Sequence, residues 1–215
     1  MPPSKADDPA LSPCLGWSIV AVAFVADAFS LGGRALFGIV MLFWGDEFGM
    51  STAELSSLMA LVHICQGVAT PLSGHAADRL PGDAVVGGGI AFLALCFGLT
   101  SLLAAKWQVW VVYGILAGLG YGLLNLNVFS VAVTRALPAK HEGLGVGIAT
   151  AGSTFGQLAL TPLFALAAQT WGWRYGYSVL CGCTIVLLVP AVVLLRKSRL
   201  RLELHRQSNG GEGEG

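Results

Sequence analysis

The chain has 215 residues, of which 55% are hydrophobic and 11% charged, with a formal net charge of zero and a mean hydropathy of +0.72. Roughly a quarter of the residues of a soluble domain are charged, so this composition excludes an ordinary water-soluble globule. The balanced charge also gives no electrostatic footprint for nucleic acid.

Residues 1–15, MPPSKADDPALSPCL, are polar and proline-rich. They are expected to form a disordered cytoplasmic tail and lack the basic-then-apolar pattern of a cleavable leader. Apolar runs follow at 17–44, 55–74, 84–105, 109–133, 144–168 and 175–195. Each reaches the ~20 residues that a helix needs to span a bilayer. A backbone in lipid must satisfy its own hydrogen bonds, so an all-α fold of six transmembrane helices is expected over residues 16–196. Residues 197–215 are basic and then rich in Gly and Glu, and are expected to be a second cytoplasmic tail.

Lys and Arg are unevenly placed. Lys5, Arg79, Arg135, Lys140, Arg196, Lys197, Arg199, Arg201 and Arg206 fall on one side of the expected spans, and Lys106 and Arg174 on the other. This asymmetry predicts both termini in the cytoplasm, and a multi-pass protein of the plasma membrane is expected. The five cysteines show no CxxC spacing, so neither a zinc site nor a disulfide framework is indicated. No metal or other cofactor is expected.

The chain repeats itself. QGVATPLSGHAA from Gln66 and QLALTPLFALAA from Gln157 share Q-x3-T-P-L-x3-A-A at an offset of 91 residues. Spans 1–3 then correspond to spans 4–6. Three spans per unit is an odd number, so the units enter the membrane from opposite sides, the inverted repeat of many secondary transporters.

Polar residues concentrate in four spans: Asp27, Ser30 and Arg34 in the first; His63 and Gln66 in the second; Asn125, Asn127 and Ser130 in the fourth; Thr150, Ser153, Thr154 and Gln157 in the fifth. A charge at the centre of a membrane helix costs about 2.5–3.5 kcal/mol on insertion scales, so such residues face a cavity or a partner. Asp27 and Arg34 are two helical turns apart, share a face and lie about 10 Å apart along the axis. Two readings stand open: a structural charge network between helices, or a site for an anionic solute at Arg34 with Asp27 as balancing charge or proton carrier. His63 and Gln66 share a face of the second span, and Asn125 is the repeat counterpart of Arg34. Arg34, Asp27, His63, Gln66, Asn125 and Gln157 are the candidate substrate-binding residues. Gly114, Gly118 and Gly122, like Gly152 and Gly156, recur every four residues and predict close helix crossings.

These features resemble the N-terminal six-helix half of a major facilitator superfamily transporter. Gly74, Asp78 and Arg79 in GHAADR resemble the superfamily's G-x3-D-R loop, which implies a brace for the cytoplasmic gate, although the basic end usual in that motif is absent. Gly16-Trp17, LPAKHEGLGVGIATAGSTFGQ from Leu137 and Gly172-Trp173-Arg174 are similar to the monocarboxylate porter and oxalate/formate antiporter group. The resemblance implies a secondary transporter, or a truncated half of one, that moves a small organic anion, a monocarboxylate, by alternating access, possible proton coupling included. It also implies that a second six-helix half, or another copy of the chain, completes the path. The alternative is a non-transporting six-helix membrane protein with a regulatory or assembly role. No HExxH or GxSxG pattern is present, and an enzyme is not expected.

Overall fold

The computed structural model describes residues 13–80, 82–124 and 126–211, so the expected N-terminal tail lies largely outside the described residues. The described residues are helical, without strands. The first span runs through two helices, α1 (Pro13–Ala35) and α2 (Phe37–Phe48), which meet at the turn residue Leu36. Gly49 ends α2 with a φ of +61°, a left-handed conformation that glycine adopts without Cβ strain. Ser51 then starts α3 (Thr52–Arg79) through a reciprocal cap. Its hydroxyl accepts from the Glu54 amide at 3.3 Å, and the Glu54 carboxylate accepts from the Ser51 amide at 2.9 Å. The third span is α4 (Gly82–Ser101), the fifth α8 (Glu142–Trp171) and the sixth α9 (Trp173–Gly211). Gly172, at φ +89°, makes the tight turn between the last two.

The fourth expected span differs from the single helix anticipated. It consists of α5 (Lys106–Gln108), a π-helical stretch Val109–Ala117 and α6 (Gly118–Leu123), then a break at Leu124, then α7 (Leu126–Ala136). Hence five helices among the described residues, counting α1 and α2 together, are long and apolar enough to cross a membrane as they stand. The fourth span crosses in pieces. The expected loop Gly74–Arg79 is likewise helical, forming the last turns of α3, which the Leu80 amide closes on the Ala76 carbonyl at 2.8 Å. α9 continues beyond Leu195, the end of the last apolar run, to Gly211.

The packing follows the repeat. α1 packs along α8, α3 along α6 and the π stretch, and α4 along α9. An operation exchanging spans 1–3 with 4–6 turns the first pairing into the second and leaves the third unchanged. Glycines make the first two crossings possible. A Cβ at Gly152 or Gly156 would collide with the α1 backbone at Phe24 or Ala28. One at Gly118 or Gly122 would collide with the α3 backbone at Val62 or Gln66. Without side chains in the way, the helix backbones touch.

Between α2, the π stretch and α9 lies an aromatic core. The Tyr113 ring stacks on Phe37 at 5.7 Å and meets Trp44 edge-on at 4.9 Å, while Trp44 meets Trp173 at 5.9 Å. One end of the bundle is tied by polar contacts. Glu47 pairs with Arg174 at 2.6 Å and accepts from the Trp173 indole at 2.8 Å. Arg174 also donates to the Leu103 carbonyl at 2.7 Å, and Lys106 pairs with Glu54 at 2.7 Å. The ends of spans 1, 2, 3 and 6 and the start of span 4 are thus fastened together.

Candidate functional site

The break at Leu36 falls two residues after Arg34, on the stretch of span 1 that faces α3 and α8. Arg34 is half-buried, and its Nη1 donates to the Gln66 side-chain carbonyl on α3 at 2.9 Å. Among the described residues Arg34 forms no ion pair. Beside it lies an open cavity of about 240 Å³, lined by Leu31, Arg34, Ala35, Phe37 and Gly38 of span 1, Met59 and His63 of α3, and Gln157 of α8. Four of the six expected binding residues, Arg34, His63, Gln66 and Gln157, therefore come together from three spans.

Each is placed by a local cause. The α1–α8 crossing seats Gly156 on Ala28, which brings the neighbouring Gln157 alongside α1. Gly122 presses on the backbone of Gln66 and so fixes the partner of Arg34 from behind. The His63 Nδ1 sits 2.8 Å from the Met59 carbonyl. A carbonyl only accepts, so Nδ1 carries the hydrogen there.

Asp27 is placed otherwise. It is 1% exposed and turned toward the backbone amide of Ser153 on α8. It does not line the cavity. The shared face expected from the seven-residue spacing does not bring the two charges to one site, because the short Asp27 side chain stays in the α1–α8 seam while the longer Arg34 reaches α3. Asn125 lies outside the described residues, as do the side chains of Asn127 and Asp78. Ser30 donates to the Leu124 carbonyl at 2.8 Å and so ties span 1 to the break in span 4. Gly74 and Arg79 lie on α3 well away from the cavity, Arg79 being about 24 Å along the axis from His63.

Sequence reasoning missed Leu31, Ala35, Phe37, Gly38 and Met59. Only Met59 carried a signal, one turn before His63 on the same helix face. Reasoning from sequence also missed the breaks. At the 91-residue offset, the break at Leu36 and the break at Leu124 fall within three residues of each other. Paired interruptions in the two halves of an inverted repeat point to a binding site near the membrane midplane.

Residues 23–212 match the family model of the Major Facilitator Superfamily. The chain belongs to that superfamily. It is 24% identical over 182 residues to the uncharacterized MFS-type transporter YcxA of Bacillus subtilis, covering 85% of this chain and 44% of the relative. It is 25% identical over 190 residues to monocarboxylate transporter 14 of Mus musculus, covering 87% of this chain and 36% of the relative. It is 26% identical over 182 residues to monocarboxylate transporter 4 of Rattus norvegicus, covering 83% and 38%. The chain thus spans less than half the length of each of these relatives. The superfamily and the helices together make it a multi-pass membrane protein.

Proposed function

We propose that the chain forms the anion-binding half of a secondary transporter for a small organic anion, a monocarboxylate, that works by alternating access. The observation that carries this reading is Arg34: a half-buried cation within a membrane span, without an ion partner among the described residues, open to a cavity of about 240 Å³. An uncompensated charge at that depth calls for a mobile counter-ion. The planar guanidinium fork suits a carboxylate held through two parallel hydrogen bonds. One Arg34 nitrogen stays on Gln66 while the others face the cavity, and Gln157 and His63 offer polar contacts to the rest of a small anion. The names of the murine and rat relatives support a monocarboxylate. A second six-helix body, or another copy of the chain, would close the open side of the cavity. The Lys/Arg asymmetry supports cytoplasmic termini and agrees with a plasma-membrane protein.

Binding of lactate to the purified chain in lipid nanodiscs, measured by calorimetry, tests the reading. Arg34→Ala removes a charge-assisted interaction worth about 1.5–3 kcal/mol and should weaken binding about ten- to a hundredfold. Arg34→Lys should recover little of this, since it keeps the charge and loses the fork. Equal binding by all three proteins would refute the role of Arg34, and absence of monocarboxylate binding to the unaltered chain would favour the non-transporting alternative.

A further inference from the structure

The cavity beside Arg34 is polar at one level and apolar beyond it. Arg34 and Gln66 share a level, joined by their hydrogen bond. After Gly49 the chain folds back, so α3 runs antiparallel to span 1. Gly38 then lies about 6 Å beyond Arg34 along span 1, and Met59 about 10 Å beyond Gln66 on the same side. Phe37 lines the cavity at that end too, while His63, between the two levels, has its Nδ1 on the Met59 carbonyl. The Phe37 ring is held in place, stacked on Tyr113 at 5.7 Å and edge-on to Trp44 at 6.2 Å. Met59 is half-buried, and its unbranched thioether adapts to an apolar neighbour.

Gly38 is the only glycine among the cavity-lining residues, and the backbone does not call for it. It sits in α2 without a positive φ, and glycine weakens a helix relative to alanine. Nor does packing call for it, since nothing lies within 4 Å of where its Cβ would be. Gly152 and Gly156, by contrast, are needed because a neighbouring backbone occupies the Cβ position. What the missing side chain at position 38 leaves is room in the cavity.

We propose that Phe37, Gly38 and Met59 form a seat for the apolar tail of the anion, that Gly38 sets its length, and that the site takes monocarboxylates with tails of about six carbons. The proposal rests on the reading of Arg34 as the anion seat. The size fits. An apolar cavity of about 150 Å³ holds a benzene molecule, so a cavity of about 240 Å³ holds a six-carbon tail with about 90 Å³ to spare. That remainder is the liquid volume of about three waters, enough for the three atoms of a carboxylate. The charge fits as well, because Arg34 is the one permanent cation in the lining. A second carboxylate at the far end of the tail would meet Phe37 and Met59, where no cation offsets its loss of water.

Calorimetry on the chain in lipid nanodiscs, with the heat of empty nanodiscs subtracted, tests this with acetate, hexanoate and adipate. Each methylene withdrawn from water strengthens binding up to about fourfold, or about twofold when half-withdrawn in an open cavity. Hexanoate has four methylenes more than acetate and should therefore bind roughly tenfold more tightly. Adipate should bind more weakly than hexanoate. Gly38→Leu places a side chain where the tail would lie and should bring the hexanoate-to-acetate ratio down to about one. Gly38→Ala should lower it part of the way, and decides the matter if thermal unfolding shows the leucine variant to be misfolded. The proposal is overturned if hexanoate binds no more tightly than acetate, if adipate matches hexanoate, or if the folded Gly38 variants keep the original ratio. Acetate binding that Arg34→Ala weakens, with no gain for hexanoate, overturns the tail seat alone. If no carboxylate binds in a way that depends on Arg34, the anion reading fails and the tail seat with it.

Discussion

At the scale of single residues, the site depends on reach. Asp27 and Arg34 leave α1 on nearly the same side, but one side chain is two carbons long and the other ends in a guanidinium several bonds out. The carboxylate therefore stops in the seam with α8, and the guanidinium extends to Gln66 on α3. Sequence could single out Arg34, His63, Gln66 and Gln157, because a polar group in an apolar run must face something other than lipid. It could not divide Asp27 from that set, since helical spacing fixes direction and not which neighbour stands there. Gln66 holds one end of the guanidinium and so aims the other. Gln66→Leu should release it, and lactate affinity should fall about tenfold, the scale of one hydrogen bond to a charged group. Calorimetry on this variant checks the point; unchanged affinity would mean that Arg34 is aimed by something else.

At the scale of elements, the six apolar runs and the offset repeat were readable because both are matters of length and residue order. The interruptions were not. Neither Leu36 nor Leu124 has a proline beside it among its near neighbours, and the prolines that do lie within spans, Pro71, Pro162 and Pro190, sit inside continuous helices. At the second interruption the Leu124 carbonyl accepts from Ser30, 94 residues away in the chain, a contact that local propensity does not encode. The glycine crossings were readable from spacing alone, and they can be ranked by what surrounds each Cα. Gly156→Leu and Gly122→Leu force a side chain into a neighbouring backbone and should each cost about 1–3 kcal/mol or more. Gly122→Leu should also weaken lactate binding, because the residue it displaces is Gln66. Gly67, on the same α3 helix, has open space where a Cβ would go. Gly67→Ala should leave the protein as stable or up to about 1 kcal/mol more stable. Thermal unfolding in detergent of the three variants measures this; equal losses at all three positions would remove the crossing argument.

At the scale of the whole molecule, the exposed faces differ in kind. α9 presents Ile185, Val186, Val189 and Val193 outward, an apolar strip that lipid can cover. α3 and α8 also expose apolar residues, among them Ile64, Val68, Leu158 and Leu163, but here His63, Thr154 and Gln157 are exposed among them, and the cavity opens between. Hydrocarbon against those polar groups and the Arg34 cavity would leave them unsatisfied, at a cost that a protein surface could avoid. The face made by α3 and α8 is therefore the one expected to meet another six-helix body, while that of α9 is expected to meet lipid. In a cysteine-free background, a single cysteine at Val68 or Leu158 should form disulfide-linked dimers in native membranes when only this chain is expressed, and one at Val186 or Val189 should not. Light crosslinking at Val68 and Leu158 with strong crosslinking at Val186 and Val189 would place the lipid on the polar face. The cavity beside Arg34 would then have to be closed within the chain itself, and the requirement for a second body would fail.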